Sequence, residues 1–251
     1  MPYMCCMLFF RLPDEIVDSS VALSEKEIAA KLEAWEEEWQ AAYQGKDVKE
    51  DLLYASSYVF HYYHIPFSYS VSFLAAMKQD LVKTYYQDFN ELENYMYGSA
   101  GVVGIMLAYI IGFREKRALE YAVSLGYAMQ LTNFLRDIKE DWQQRHRIYM
   151  PQEELKQFGL SAQNIMQENF TPDFFAFISW QIARARSLYR EADVGITLLN
   201  LRGQLAVKVA SRLYEAILGR IEAQKNNIFL KRAKTSFGQK LWILIKCIIG
   251  K

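Results

Sequence analysis

At 251 residues, with 52% hydrophobic and 23% charged composition, the chain is long enough to bury one sizeable core and too apolar to be disordered. Its 29 lysines and arginines cancel its 29 aspartates and glutamates, which removes the overall basic bias of a nucleic-acid-binding protein; any cationic site must be local. Cys5, Cys6 and Cys247 are odd in number, crowd the termini and match neither a disulfide framework nor a metal-ligand spacing, so a reducing cytoplasm is the expectation.

The first ten residues are apolar but lack a basic leader and a small-residue cleavage site, and they run into Arg11 and acidic residues; they do not read as a signal peptide. No stretch reads as the ~20 consecutive apolar residues of a spanning helix. Prolines fall only at 2, 13, 66, 151 and 172. Apolar and small residues recur at three- and four-residue spacing, without hairpin turn pairs or alternating runs. The pattern predicts helices over 14–20, 24–43, 48–62, 67–87, 90–112, 115–141, 152–157, 172–201 and 203–226. Ser24 with Glu27 reads as a capping box, Thr171-Pro172-Asp173 as a helix start, and Gly203 as the break between the last two long helices. The fold class is a single all-α domain over 1–251.

Two segments carry chemistry. Asp14 and Asp18 are four residues apart and share a helix face, where like charges repel unless a cation sits between them. A solvated acidic face is the plainer alternative. Gln130, Asn133, Asp137 and Asp141 step by three, four and four, a polar stripe down a helix otherwise made of residues such as Leu131, Phe134, Leu135 and Ile138. Amides and carboxylates inside an apolar helix are costly without partners, and Mg²⁺, which takes oxygen ligands and shares its shell with phosphate, suits them. Arg11 and Arg136 lie beside the pairs and could cap phosphate charge. An interhelical polar network without a catalytic role is the alternative.

At these residues the chain resembles the squalene/phytoene synthase family. The stretch from Gly126 through Asp141, followed by Arg147-Ile-Tyr149-Met-Pro151, is similar to that family's second signature; Tyr95 through Gly104 is similar to its other signature, and Arg11 with Asp14-Glu15-Ile-Val-Asp18 to its first aspartate motif. The resemblance implies an isoprenoid-synthase bundle around a central apolar cavity, with Asp14, Asp18, Asn133, Asp137 and Asp141 holding Mg²⁺ (or Mn²⁺). It implies Arg11, Gln130, Asn133, Arg136 and Arg147 binding prenyl diphosphate, and Tyr95 facing the cavity to steady a cation or move a proton. The implied reaction joins two prenyl diphosphates, farnesyl or geranylgeranyl, head to head through a cyclopropyl carbinyl diphosphate to a phytoene- or squalene-like product. No dinucleotide fingerprint follows a strand, which favours a route without NADPH, although a helical fold has other ways to bind it. Against the family pattern, a further helix is expected before Arg11, so that 1–10 reads as an incomplete first helix; Met7 replaces a tyrosine, Pro13 precedes the aspartate, and His146 replaces a glycine. Gly98, Ala100, Gly101 and Gly104 supply either room for a prenyl chain or close helix contact.

The tail 240–251, with Trp242 and lysines among aliphatic residues, reads as an interfacial membrane contact or as a last packed helix. The localisation expected is cytoplasmic, peripheral on a membrane face. A non-catalytic relative serving as a membrane-associated scaffold is the rival functional reading.

Overall fold

The computed structural model describes residues 2–18 and 24–249, the side chains of Tyr3, Asp18 and Glu25 excepted. The regular elements among them are all helical: α1 (Pro2–Asp18), α2 (Glu25–Tyr43), α3 (Asp51–Tyr62), α4 (Phe67–Val82), α5 (Phe89–Met96), α6 (Val102–Ile111), α7 (Ala118–Arg145), α8 (Gln152–Gln157), α9 (Ala162–Met166), α10 (Pro172–Ile196), α11 (Leu201–Ala223) and α12 (Phe237–Ile249). Two isolated backbone bridges, Tyr85 with Ile148 and Phe113 with Leu199, are the only strand-like pairings among the described residues. The start signals read from the sequence are in place. The Ser24 amide donates to Glu27 Oε2 at 2.8 Å and the Glu27 amide to Ser24 Oγ at 3.4 Å. The Phe174 amide donates to Thr171 Oγ1 at 3.1 Å, with Pro172 opening α10.

Several boundaries differ from expectation for physical reasons. Helix α1 begins at Pro2, not near residue 14, and carries Pro13 inside it. An interior proline costs about 3 kcal/mol. Against that, Cys6, Phe9, Phe10, Pro13 and Val17 are all buried on one face. The Phe9 ring is surrounded by Trp35, Trp39, Phe60 and Phe73 with centroids 4.6 to 6.5 Å away, and each buried ring of that kind contributes roughly 1.5–3 kcal/mol. Tertiary burial therefore outweighs the local break. Helices α10 and α11 are separated at 197–200 rather than at Gly203, which lies in the first turn of α11. A Cβ at Gly203 would come 2.3 Å from Ile111 Cγ2, so that glycine is there to let α11 approach α6.

The segment expected as one helix over 90–112 is interrupted by a π-helical turn, Tyr97–Gly101, between α5 and α6. A Cβ on Gly98 would lie 2.6 Å from the Ser72 carbonyl, on Gly104 2.4 Å from that of Ala122, and on Gly126 2.5 Å from that of Ala100. The small residues thus serve close crossings of this segment with α4 and α7, and Ala100 and Gly104 also line an internal cavity, so the two expected uses coexist. Contrary to the sequence reading, 89–111 is long and apolar enough to cross a bilayer by length and composition, but half of it is buried inside the protein. It is a core helix. Helix α7 lies at the centre of the second half of the fold, packed on α10, α6, α11, α5 and the π turn; buried Thr132 Oγ1 and Tyr189 Oη, 3.0 Å apart, tie it to α10.

Candidate active site

Helix α7 does two things along one face. Over its first half it helps wall a cavity of about 310 Å³ lined almost entirely by apolar groups from α6, α7, α10 and α11, among them Val103, Leu107, Leu125, Met129, Ile196 and Val207. This is the low end of the size of small-molecule pockets. Ser99, Tyr121 and Gln130 are the residues with polar groups that line it, Gln130 at its α7 end. From there the same face continues through Asn133, Asp137 and Asp141, one turn apart, as the spacing predicts. Asn133 Nδ2 donates to Gln130 Oε1 at 3.4 Å, while Asn133 Oδ1 is buried with no partner.

The two carboxylates on this stripe are held differently. Asp137 accepts from Arg136 Nε at 2.8 Å and from Arg232 Nε at 2.7 Å and Nη2 at 3.1 Å. Burial raises its pKa, but the two guanidinium groups more than offset that and hold it below the usual carboxylate range. Asp141 is 6% exposed, and its described contact is Arg145 Nη1 at 3.3 Å. Burial first, then the charge of Asp137, push it up to about 7 against the opposing pull of Arg145 and Arg147. Arg136 is therefore committed to Asp137, and Arg232, from the segment after α11, is a site residue the sequence reading missed. Its only local signal was the basic run Lys231, Arg232 and Lys234.

A second missed residue is Asp80, on α4. Its carboxylate accepts from Tyr95 Oη at 2.7 Å and Tyr149 Oη at 3.2 Å, and Arg147 Nη1 lies 3.7 Å away while Arg147 Nη2 donates to the Asp80 carbonyl. Burial raises the Asp80 pKa, with Arg147 and the two tyrosine hydroxyls opposing it. Tyr95, expected on the cavity wall, instead sits 3% exposed in a stack with Tyr86, Phe134 and Tyr149, its hydroxyl turned to Asp80. Arg147, expected to bind substrate, is bound to that carboxylate. Asp141 is joined to this cluster through Arg147, whose amide donates to the Asp141 carbonyl at 3.2 Å, so Asp80 orients the groups beside the aspartate stripe.

Of the α1 pair, one side chain is described. Asp14 is exposed, and the side chain of Asp18 lies outside the described residues. Arg11 pairs with Glu15 at 2.5 Å on the surface, the two side chains 68% and 52% exposed. Helix α1 packs on α2, α3, α4 and α6.

A hard divalent cation fits the α7 residues in kind. A partnerless buried amide oxygen on Asn133 and a carboxyl on Asp141 raised by burial and by its neighbour's charge both call for positive charge, and oxygen donors of this type suit Mg²⁺ or Mn²⁺. Among the described residues no three His, Cys, Asp or Glu side chains are grouped so as to hold a metal ion by themselves, so two carboxylates and an amide are what the stripe offers, leaving positions for water and phosphate oxygens.

The squalene/phytoene synthase family profile matches residues 1–239. Chloroplastic phytoene synthase 1 of Zea mays is 37% identical over 241 residues, covering 93% of this chain and 58% of the relative, and chloroplastic phytoene synthase 1 of Solanum lycopersicum is 37% identical over 239, covering 92% and 57%. The chain thus spans less than two thirds of the length of these curated relatives. Among solved structures, a dehydrosqualene synthase in complex with ligand superposes with a TM-score of 0.88 at 25% identity over 98% of this chain and 84% of its own. Squalene synthase HpnC from Alicyclobacillus acidocaldarius gives 0.81 at 25% identity, over 90% and 84%.

Proposed function

The chain belongs to the squalene/phytoene synthase family, and from that premise we propose that it condenses two molecules of geranylgeranyl diphosphate head to head to a phytoene-type hydrocarbon. The observation that carries this reading is the double use of α7: the face that lines the apolar cavity at Gln130 continues into Asn133, Asp137 and Asp141. Phytoene synthases are the relatives that favour the longer substrate.

Asn133, Asp137 and Asp141 would hold Mg²⁺, which when bound supplies charge neutralisation for the departing diphosphate. Arg136 and Arg232 are placed to turn from Asp137 to diphosphate oxygens, which arginine pairs well. Ionisation leaves an allylic cation, and the second substrate's double bond attacks it; loss of a proton to the released diphosphate closes a cyclopropyl carbinyl diphosphate, which ionises again, rearranges and loses a second proton to the second diphosphate to give the neutral hydrocarbon. The cavity walled by Val103, Leu107, Leu125 and Met129 excludes the water that would quench such cations. Through Asp80, Tyr95 and Tyr149 are held in a fixed orientation at the edge of this machinery, Phe134 stacking on Tyr149 at 4.2 Å.

Incubating the protein with geranylgeranyl diphosphate and Mg²⁺ should release diphosphate and yield an apolar C40 product identifiable by mass spectrometry, without NADPH. The reading is overturned if neither Mg²⁺ nor Mn²⁺ supports diphosphate release. Mg²⁺-dependent binding of a non-reactive diphosphate analogue, lost in Asp137→Ala, separates an enzyme from a scaffold that keeps the fold.

A further inference from the structure

Helix α12 leaves an apolar face uncovered. Phe237, Leu241, Leu244, Ile245 and Ile248 fall at i, i+4, i+7, i+8 and i+11, one side of a helix, and all are exposed, Phe237 by 82% and Ile248 by 61%. The opposite side, Ile243 and Cys247, is the one turned inward, where α12 packs on α11. Five outward aliphatic and aromatic side chains in three turns are more than a scattering of single exposed residues.

Charge says what covers this face. From Ala223 to Lys251 the chain carries six lysines and one arginine and no acidic residue, in a protein whose total is zero. Lys240 borders the apolar face on one side, and Trp242 on the other, with the Lys246 ammonium 3.7 Å from its ring centroid. Aliphatic side chains bordered by tryptophan and lysine are the make-up of a helix lying in a lipid interface. Below the Trp242 edge, α11 and α12 enclose a cleft of about 660 Å³ lined by Lys208, Arg212, Arg220 and Lys246, with Glu215 as its acidic residue. The Nε of Arg220 is buried there without a partner. Two copies of so basic a segment would repel each other, whereas an anionic lipid surface matches both the face and the cleft.

We propose that the α11–α12 face docks on an anionic lipid surface, the apolar side of α12 among the acyl chains and the basic cleft taking a lipid headgroup phosphate. The geometry adds a link to the interior: Ala210 of α11 borders both the internal cavity and an outer apolar groove walled by Leu205, Leu213 and Leu244. On the prenyl-transfer reading, an apolar product in the cavity is one small-residue helix away from the lipid.

Vesicle flotation with the full chain tests the docking without any turnover, so it stands or falls separately from the proposed reaction. The chain should float with vesicles of phosphatidylcholine mixed with phosphatidylglycerol, and far less with phosphatidylcholine alone or at high salt. Leu241→Asp combined with Ile245→Asp, both at exposed positions, should abolish flotation while leaving the circular dichroism unchanged. Lys240→Gln with Lys246→Gln should weaken binding about 30-fold, at the usual contribution of a basic residue near an anionic surface. Absence of flotation with the anionic vesicles overturns the proposal. So does a double aspartate variant that floats like the parent, or a concentration-dependent dimer that this variant dissolves, which would assign the face to a second copy.

Discussion

Helices α1 and α7 each carry two aspartates four residues apart in sequence, yet Asp14 of α1 lies in surroundings unlike those of the α7 pair. On α7 the carboxylates are buried beside an apolar cavity, one neutralised by Arg136 and Arg232 and the other pushed up to about 7. On α1, Asp14 is exposed, and the neighbouring Arg11 is spent on a solvent-exposed pair with Glu15, where screening leaves little energy. Equal spacing fixes a shared face; what the face is turned towards decides whether the charge on it is buried or exposed.

The difference can be tested from its largest consequence downward. Asp137→Ala and Asp141→Ala should each reduce Mg²⁺-dependent diphosphate release by about 10²–10³-fold or more, as for loss of one preorganised electrostatic group; a steady-state assay would show it. Asp14→Ala run in parallel breaks the contrast if it costs as much. In stability the ranking reverses, because α1 is anchored by its apolar side: Phe9→Ala should cost about 3–5 kcal/mol in urea denaturation.

The pH dependence should set the α7 pair apart. With the Asp141 carboxyl raised to about 7 from an ordinary 3.8, the folded state favours its protonated form. The stability it contributes is fully present below the ordinary carboxylate range and is lost as pH rises through about 7. Thermal melts of the metal-free protein should therefore fall between about pH 4 and pH 7 and level off above it; Asp141→Asn should flatten that fall, and Mg²⁺ should lessen it by favouring the carboxylate. Asp137, held low, acts oppositely, losing its stabilising contribution only in acid. The smallest effects come from single surface or backbone adjustments. His146 closes α7 with φ 51°, the left-handed region that glycine adopts without cost. His146→Gly should raise stability by up to about 1 kcal/mol, while Arg11→Ala should change it by no more than about 1 kcal/mol.

What could be read from the sequence was local. The caps at Ser24 and Thr171, most of the long helices and the stripe from Gln130 to Asp141 all follow from spacings within a few turns, and each is present. What escaped depends on residues far apart in the chain. Nothing around Met77-Lys-Gln-Asp80 announces that its carboxylate meets hydroxyls 15 and 69 residues away. Arg232 reaches Asp137 across 95 residues. The proline inside α1 is tolerated only because rings from α2, α3 and α4 close around Phe9. That Gly98 serves helix contact while Gly104 serves both contact and cavity wall likewise needed the opposing carbonyls of Ser72 and Ala122 and the cavity lining.

The interrupted helix over 89–111 has a consequence for how the protein is made. It is apolar enough for a bilayer, and its shelter comes in part from α7, which is synthesised after it. Until residues 118–145 have emerged, the crossings at Gly104 and Gly126 cannot form, and this stretch is a greasy segment waiting for its partner. Slowing translation beyond residue 111, or weakening the Gly104–Gly126 crossing, would lengthen that wait and favour aggregation or mistaken insertion over folding. The same tight fit that hides the segment in the finished protein thus sets a deadline during its birth.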